Sequence, residues 1–245
     1  GGQSLIGLPA GHLIAGYNKI ITTGYAALRK QAQDWIDEHK FRAMGEDMDK
    51  YIFYKAAVIT CDGAMTLVRR YGEKCLEKAA EAKDEKRKAE LEKMAEALLW
   101  LSENPARNFR EAVQGIMMYQ VMIQIYDRTP SPSIGRFDQY VWPFLKKDLE
   151  EGTITMDEAQ EIVDAFFLKA NCFYQGGKGR LATTTGIGNT YQHTTLGGVD
   201  PETGEDATNP VTYMVLETVG RLKLHDPTIS LRFNKNSPDK LWDCA

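Results

Sequence analysis

Between Pro130 and Gly135 this chain is barred from regular helix, and immediately afterwards helix is favoured. Pro130, Pro132 and Gly135 stand close together; each proline lacks a backbone donor and clashes with the turn before it. Beyond them Phe137, Tyr140, Val141, Phe144 and Leu145 recur at helical spacing. The chain must therefore hold a kinked loop against the start of a helix, and that loop carries Ser131, Ser133, Arg136 and Asp138. Such a loop can fix small polar groups in place before a ligand arrives. The same residues also suit a plainer task, capping and pairing around a helix start.

The remainder reads as helices with a few short strands. Residues 1–17 are punctuated by glycines and read as loop. Ile20, Ile21, Tyr25, Leu28, Ala32, Trp35 and Ile36 trace one face of a helix from Asn18 to about Lys40. A second helix is predicted from Met48 to Ala82, apolar on most sides in its first half. Asp84 to Glu96 is a charged, solvated run with signs that alternate. A helix rich in Met and aromatics follows from Arg107 to Ile125. Thr155-Met156-Asp157-Glu158 is a capping box opening a helix to Asn171. Glycines and threonines then dominate, with β-prone pieces at 181–185 and 191–196. Asn209-Pro210 is an N-cap and first-turn pair for a helix to Leu222. Ile229, Leu231 and Phe233 alternate with polar residues, the pattern of a strand.

Hydrophobic residues make up 43% of the 245 and charged ones 26%, a globular rather than disordered balance. A net charge of −4 argues against nucleic acid or anionic membrane as partner. No run of apolar residues reaches the length of a membrane span, so a cytoplasmic protein is expected. Cys61, Cys75, Cys172 and Cys244 are dispersed and form no C-x-x-C pair, which suits free thiols better than disulfides or zinc. No Gly-Lys-Ser/Thr follows the glycine cluster, so it is not a phosphate loop.

Six segments in order resemble the pyruvate formate-lyase-like glycyl radical enzymes. They are Gly11-His12 with Tyr17; Cys61-Asp62-Gly63-Ala64 running to Arg69-Arg70-Tyr71; and Pro105-Ala106-Arg107 with Phe109, Glu111, Ala112 and Gln114. Gly135-Arg136-Phe137-Asp138-Gln139-Tyr140 follows, then Gly197-Gly198-Val199 with Asp206-Ala207-Thr208-Asn209, then Pro227-Thr228-Ile229-Ser230-Leu231-Arg232. The resemblance implies an α/β fold, a helix-rich part of a ten-stranded barrel with the site inside. It further implies that 1–245 is an internal part of that domain, truncated before the catalytic Cys loop and the glycyl radical domain.

In that family a glycine radical, installed by an S-adenosylmethionine-dependent iron–sulfur activase, passes to a cysteine that takes hydrogen from a small substrate. Neither the Gly-Cys-x-Glu nor the Arg-Val-x-Gly-Tyr motif occurs in these residues. The expectation is therefore a segment that binds no cofactor itself and does not turn over alone. The intact protein would be a lyase cleaving a C–C, C–O or C–N bond of a small polar substrate. Its expected partners are that substrate, the activase and, in a homodimer, a second copy. By resemblance His12 is catalytic, relaying protons or contacting substrate, while Ser4, Ser131 and Thr184 line the pocket. Pro130 stands where some dehydratases carry histidine, which argues against a glycerol-type dehydratase, and Asn234 stands where many relatives have histidine. Two other readings are open: a non-catalytic helical scaffold or binding domain derived from this fold, and an acid–base enzyme using His12 with a nearby carboxylate. His12 in apolar company also suits core packing.

Overall fold

The computed structural model describes residues 13–40, 44–124, 132–173 and 192–244. The chain divides into two compact units, Gly1–Tyr17 with Asn108–Ala245, and the intervening Asn18–Arg107.

In the intervening unit, periodicity predicts one helix from residue 18 to 40, but the structure has two, α1 (Tyr17–Thr23) and α2 (Tyr25–His39). The break is at Gly24, whose φ is +78°. A Cβ there would lie 2.6 Å from the Asn104 carbonyl carbon and 2.7 Å from Pro105 N. Only glycine lets the 103–106 segment pass so close, and Ala26 N–Glu103 O and Ala106 N–Ile21 O hydrogen bonds (both 2.9 Å) lock it there. Helix α3 (Glu46–Glu81) buries Val58, Ala64, Val68, Gly72 and Ala79. It packs on α2 and on α4 (Glu85–Leu101). Gly72 makes the second contact close, since a Cβ there would meet Leu99 Cγ at 2.9 Å. The charged run after Asp84 is thus helical well past Glu96. Asp84 caps it by accepting from Lys86 N, and Leu91, Ala95, Leu98 and Leu101 are its buried side. By length and composition alone α3 is also apolar enough to cross a membrane, which the sequence reading did not expect.

The other unit is a helical layer over a small parallel sheet. Its helices are α5 (Phe109–Met122), α6 (Phe137–Glu150), α7 (Met156–Asn171), α8 (Pro210–Leu222) and α9 (Asp239–Asp243). Asn108 caps α5 and Thr155 closes the predicted capping box with Glu158 on α7. Asn209 and Thr212 form a second box on α8. Phe137 stacks on Phe166 at 4.7 Å and meets Phe167 edge-on at 5.6 Å. With Phe109, Ile116, Val141, Leu145, Val163 and Val215 they make the buried apolar interior.

Strands β1 (His193–Gly197) and β2 (Thr228–Arg232) pair in parallel, His193 opposite Thr228 and Gly197 opposite Arg232. Parallel neighbours need a crossover, and α8 lies between them in sequence. Two parallel bridges extend the arrangement, Gly135 to Thr194 and Ile14 to Ser133. The order across the sheet is therefore residue 14, residues 133–135, β1, β2. Side chains alternate between faces. Ile134, Thr194 and Leu196 are fully buried, whereas Ile14 is 60% exposed. His193, Thr195 and Ser230 are half-buried, and Thr228 and Arg232 are exposed. The helix-rich α/β class read from the sequence holds. The β-prone piece at 181–185 lies outside the described residues.

Candidate functional site

The starts of the parallel strands are drawn together by backbone hydrogen bonds. Ser133 N donates to Leu13 O and Ile134 N to His193 O, both at 2.8 Å; Thr228 N donates to Gln192 O at 2.9 Å. The four residues singled out from the sequence, Ser4, His12, Ser131 and Thr184, all lie outside the described residues. Leu13, Pro132 and Gln192 are the first described residues after them. The structure therefore sets side by side the chain positions from which the predicted site segments run back.

A buried polar chain holds this edge from beneath. Tyr17 Oη donates to Gln120 Oε1. Gln120 Nε2 donates to Pro132 O at 3.1 Å and to Gln192 Oε1 at 2.7 Å. Gln192 in turn donates from Nε2 to Asp226 Oδ2 at 2.7 Å and to Ala170 O at 2.9 Å. Gln120 and Gln192 are 0% exposed and Asp226 2%, where an unmet polar group would be costly. Burial first, then the neighbouring Tyr119 and Tyr140 hydroxyls, push the Tyr17 phenol well above its ordinary range, so it acts as a neutral donor. The sequence reading missed this chain. Its one visible signal is Gln120 itself, a polar residue inside the Met- and aromatic-rich run of α5.

Arg136 and Asp138 turn out to clamp backbone. Arg136 donates to Gly197 O at 2.8 Å and Val199 O at 3.3 Å. Asp138 Oδ2 accepts from Gly197 N at 2.8 Å and Thr212 Oγ1 at 2.7 Å. Burial raises the Asp138 carboxyl above its usual range, partly offset by those two bonds. The pair fixes the far end of β1 to the start of α6, the plainer of the two tasks open to it. Beyond β1, Asn234 Nδ2 donates to Asp206 Oδ2 and Gly198 O at 2.7 and 3.0 Å, so the asparagine is a loop tether here. Burial pushes the Cys61 and Cys75 thiols up, away from thiolate chemistry. No three His, Cys, Asp or Glu among the described residues could hold a metal ion.

The sequence model described as pyruvate formate lyase-like matches residues 8–245. The chain belongs to this family. Among its glycyl radical relatives, isethionate sulfite-lyase of Nitratidesulfovibrio vulgaris is 37% identical over 235 residues, 94% of this chain and 28% of the relative. The (2S)-3-sulfopropanediol dehydratase of Klebsiella oxytoca is 33% identical over 95% of this chain and 28% of its own length. The glycerol-bound B12-independent glycerol dehydratase of Clostridium butyricum superposes with a TM-score of 0.89 at 32% identity, covering 97% of this chain and 30% of that structure. A glycyl radical enzyme from Archaeoglobus fulgidus gives 0.88 at 30% identity, with 96% and 30% coverage. The chain thus spans less than a third of the relatives it matches, and within them it matches a stretch of helix-rich barrel.

Proposed function

We propose that this chain forms part of the substrate-side wall of a glycyl radical lyase, acting within a longer protein that carries the radical cysteine and glycine. The observation that carries the reading is the alignment of Leu13, Ser133 and His193 by backbone hydrogen bonds at the starts of neighbouring parallel strands. A pocket needs its polar groups held on rigid elements, and this edge is rigid from both sides: sheet bonds across it and the Gln120–Gln192–Asp226 chain beneath. On this reading His12 moves a proton to or from the substrate. Ser4, Ser131 and Thr184 orient its hydroxyl or acidic group.

The substrate is a small polar organic molecule. Cleavage of C–C, C–O or C–N bonds fits the chain's motifs, and similarity to isethionate sulfite-lyases adds C–S cleavage as the bond class to test first. On this reading the chain contributes binding, orientation and the proton carried by His12. The family's radical would come from the partner activase and supply the hydrogen abstraction, and the 245 residues alone would be inactive. The test is anaerobic incubation of the full protein with an activase and S-adenosylmethionine, followed by isethionate. A glycyl-type EPR doublet with release of sulfite, or of a dehydration product from a related diol, is expected. Absence of the doublet under conditions that activate a relative would contradict the reading.

A further inference from the structure

The outward side of α3 changes character halfway along the helix. At about 100° per residue, Met48, Ile52, Ala56, Ile59 and Gly63 form one stripe, opposite the side that buries Ala64, Val68 and Gly72. Every residue of the stripe is exposed. Ile52 and Ile59 are open to 57% and 70%, Phe53 beside them to 65%, and Met44 just before the helix to 82%. The same stripe continues through Thr66, Arg70, Glu73 and Glu77, all exposed. The helix is thus apolar outward for roughly 22 Å, at 1.5 Å per residue, and charged thereafter. A contiguous apolar patch with so sharp an edge marks a surface built to be covered.

Polar groups within the apolar half are turned aside. From Tyr51 to Cys61 the one charged residue is Lys55, and its Nζ lies over the Tyr51 ring at 5.4 Å. Thr60 Oγ1 donates back to Ala56 O at 2.9 Å, so its hydroxyl needs nothing from outside. Ala56 and Gly63 leave hollows beside Ile52 and Ile59, and no atom lies within 4 Å of where a Gly63 Cβ would stand. Large and small residues alternating along one stripe suit the ridge of another helix.

The patch is too small to hold two copies together and wrong for a bilayer. A stable interface takes about 800 Å² and 20–30 residues from each partner, whereas this one offers a few side chains on one helix. A spanning helix is apolar all round, but α3 packs on α2 and α4 and carries the Arg29–Asp62 ion pair on its flank. A contact of this size suffices within one polypeptide, where tethering raises the effective concentration. Most of such a polypeptide lies outside these residues, since the chain covers 28% of the isethionate sulfite-lyase and 30% of the glycerol dehydratase it matches. We infer that the outward face of α3 from Met44 to Gly63 is an intramolecular docking surface, filled in the full protein by an apolar helix from beyond the 245 residues.

Hydroxyl-radical footprinting of the unaltered full protein, read by mass spectrometry, measures side-chain access at Met44, Met48 and Phe53, with Tyr71 on the charged half as the internal reference. Those three should label at least about tenfold more slowly than in the denatured protein, at every protein concentration and without lipid, while Tyr71 labels freely. A benzophenone photo-crosslinking residue in place of Ile59 should join that position to a residue beyond the 245 in the same polypeptide. Free labelling of the three, protection lost on dilution to monomer, or protection that needs added phospholipid vesicles would overturn the inference. So would crosslinks confined to a second copy or to these 245 residues. Both readouts precede activation, so failure of the EPR doublet or of turnover would count against the lyase reading alone.

Discussion

Gln192 fills both carboxylate oxygens of Asp226. Its side-chain Nε2 donates to Oδ2 at 2.7 Å and its backbone N to Oδ1 at 3.1 Å. One residue thus ties the entry of β1 to the turn that leads into β2, deep in the interior. Replacing Gln192 by Leu leaves the carboxylate with one bond fewer and takes from Gln120 one of its three partners, Tyr17 and Pro132 remaining. The expected loss is about 1.5–3 kcal/mol, the range for hydrogen bonds to charged groups, read as a shift in urea midpoint at constant slope. Gln120→Leu combined with it should cost less than the two single losses added, because they share one bond. Full additivity would show that the chain does not act as a unit.

Asp138 gives the protein a pH-dependent term opposite to that of most carboxylates. Burial raises its pKa in the fold above the ordinary value of 3.8, so between the two values the folded state binds more protons than the unfolded one. Its contribution to stability is full below about pH 4 and declines as pH rises through the raised value. Asp164 and Asp206, held below their ordinary range with hydrogen bonds outweighing burial, do the reverse and weaken the fold as pH falls. Asp138→Asn should remove the decline on the alkaline side of pH 4. Urea midpoints of the two proteins compared across pH 4–8 would show this as a difference that grows with pH. Parallel curves would mean that Asp138 titrates as an ordinary carboxyl.

Gly135 is fixed by backbone shape and by space together. Its φ is +76°, and a Cβ would lie 2.7 Å from Tyr140 Oη and 2.8 Å from Ile14 Cγ2. Gly135→Ala therefore meets both a left-handed backbone and a collision with the residue that bridges Ser133. A loss of about 1–3 kcal/mol is expected, accompanied by faster amide exchange at Ser133 and Thr195, whose donors bond across this edge. Exchange unchanged at both amides would show that the edge does not depend on Gly135.

Much of the helical part could be read from the sequence because its signals are local. The Thr155–Glu158 box and the Asn209-Pro210 pair each specify a start by chemistry within one turn, and both helices begin where those residues say. Gly24 could not be read this way, since what breaks that helix is the backbone of Asn104 and Pro105, distant in sequence. The strand pieces at 14 and 133–135 pair through single bridges, too short for an alternating pattern to register. Arg136 and Asp138 could be read either as ligand groups or as a cap and pair, because their partners, Gly197 and Thr212, lie about sixty to seventy-five residues further on. His12, Ser131, Ser4 and Thr184 are proposed by resemblance alone and lie outside the described residues. The described fold supplies the anchoring that the resemblance did not contain.

The account's central claim is that this chain provides the substrate-facing side of a radical lyase, and His12→Gln in the full protein tests it most directly. EPR doublet intensity and turnover are measured on the same anaerobically activated sample. Glutamine keeps the size and hydrogen-bonding capacity of the side chain but cannot carry a proton in catalysis, and such a loss ordinarily costs about 10²–10⁴ in rate. The doublet should match that of the unaltered protein while turnover falls at least a hundredfold. Turnover within twofold of the unaltered protein, with the doublet intact, would return His12 to core packing and remove the chain from the catalytic side of the site.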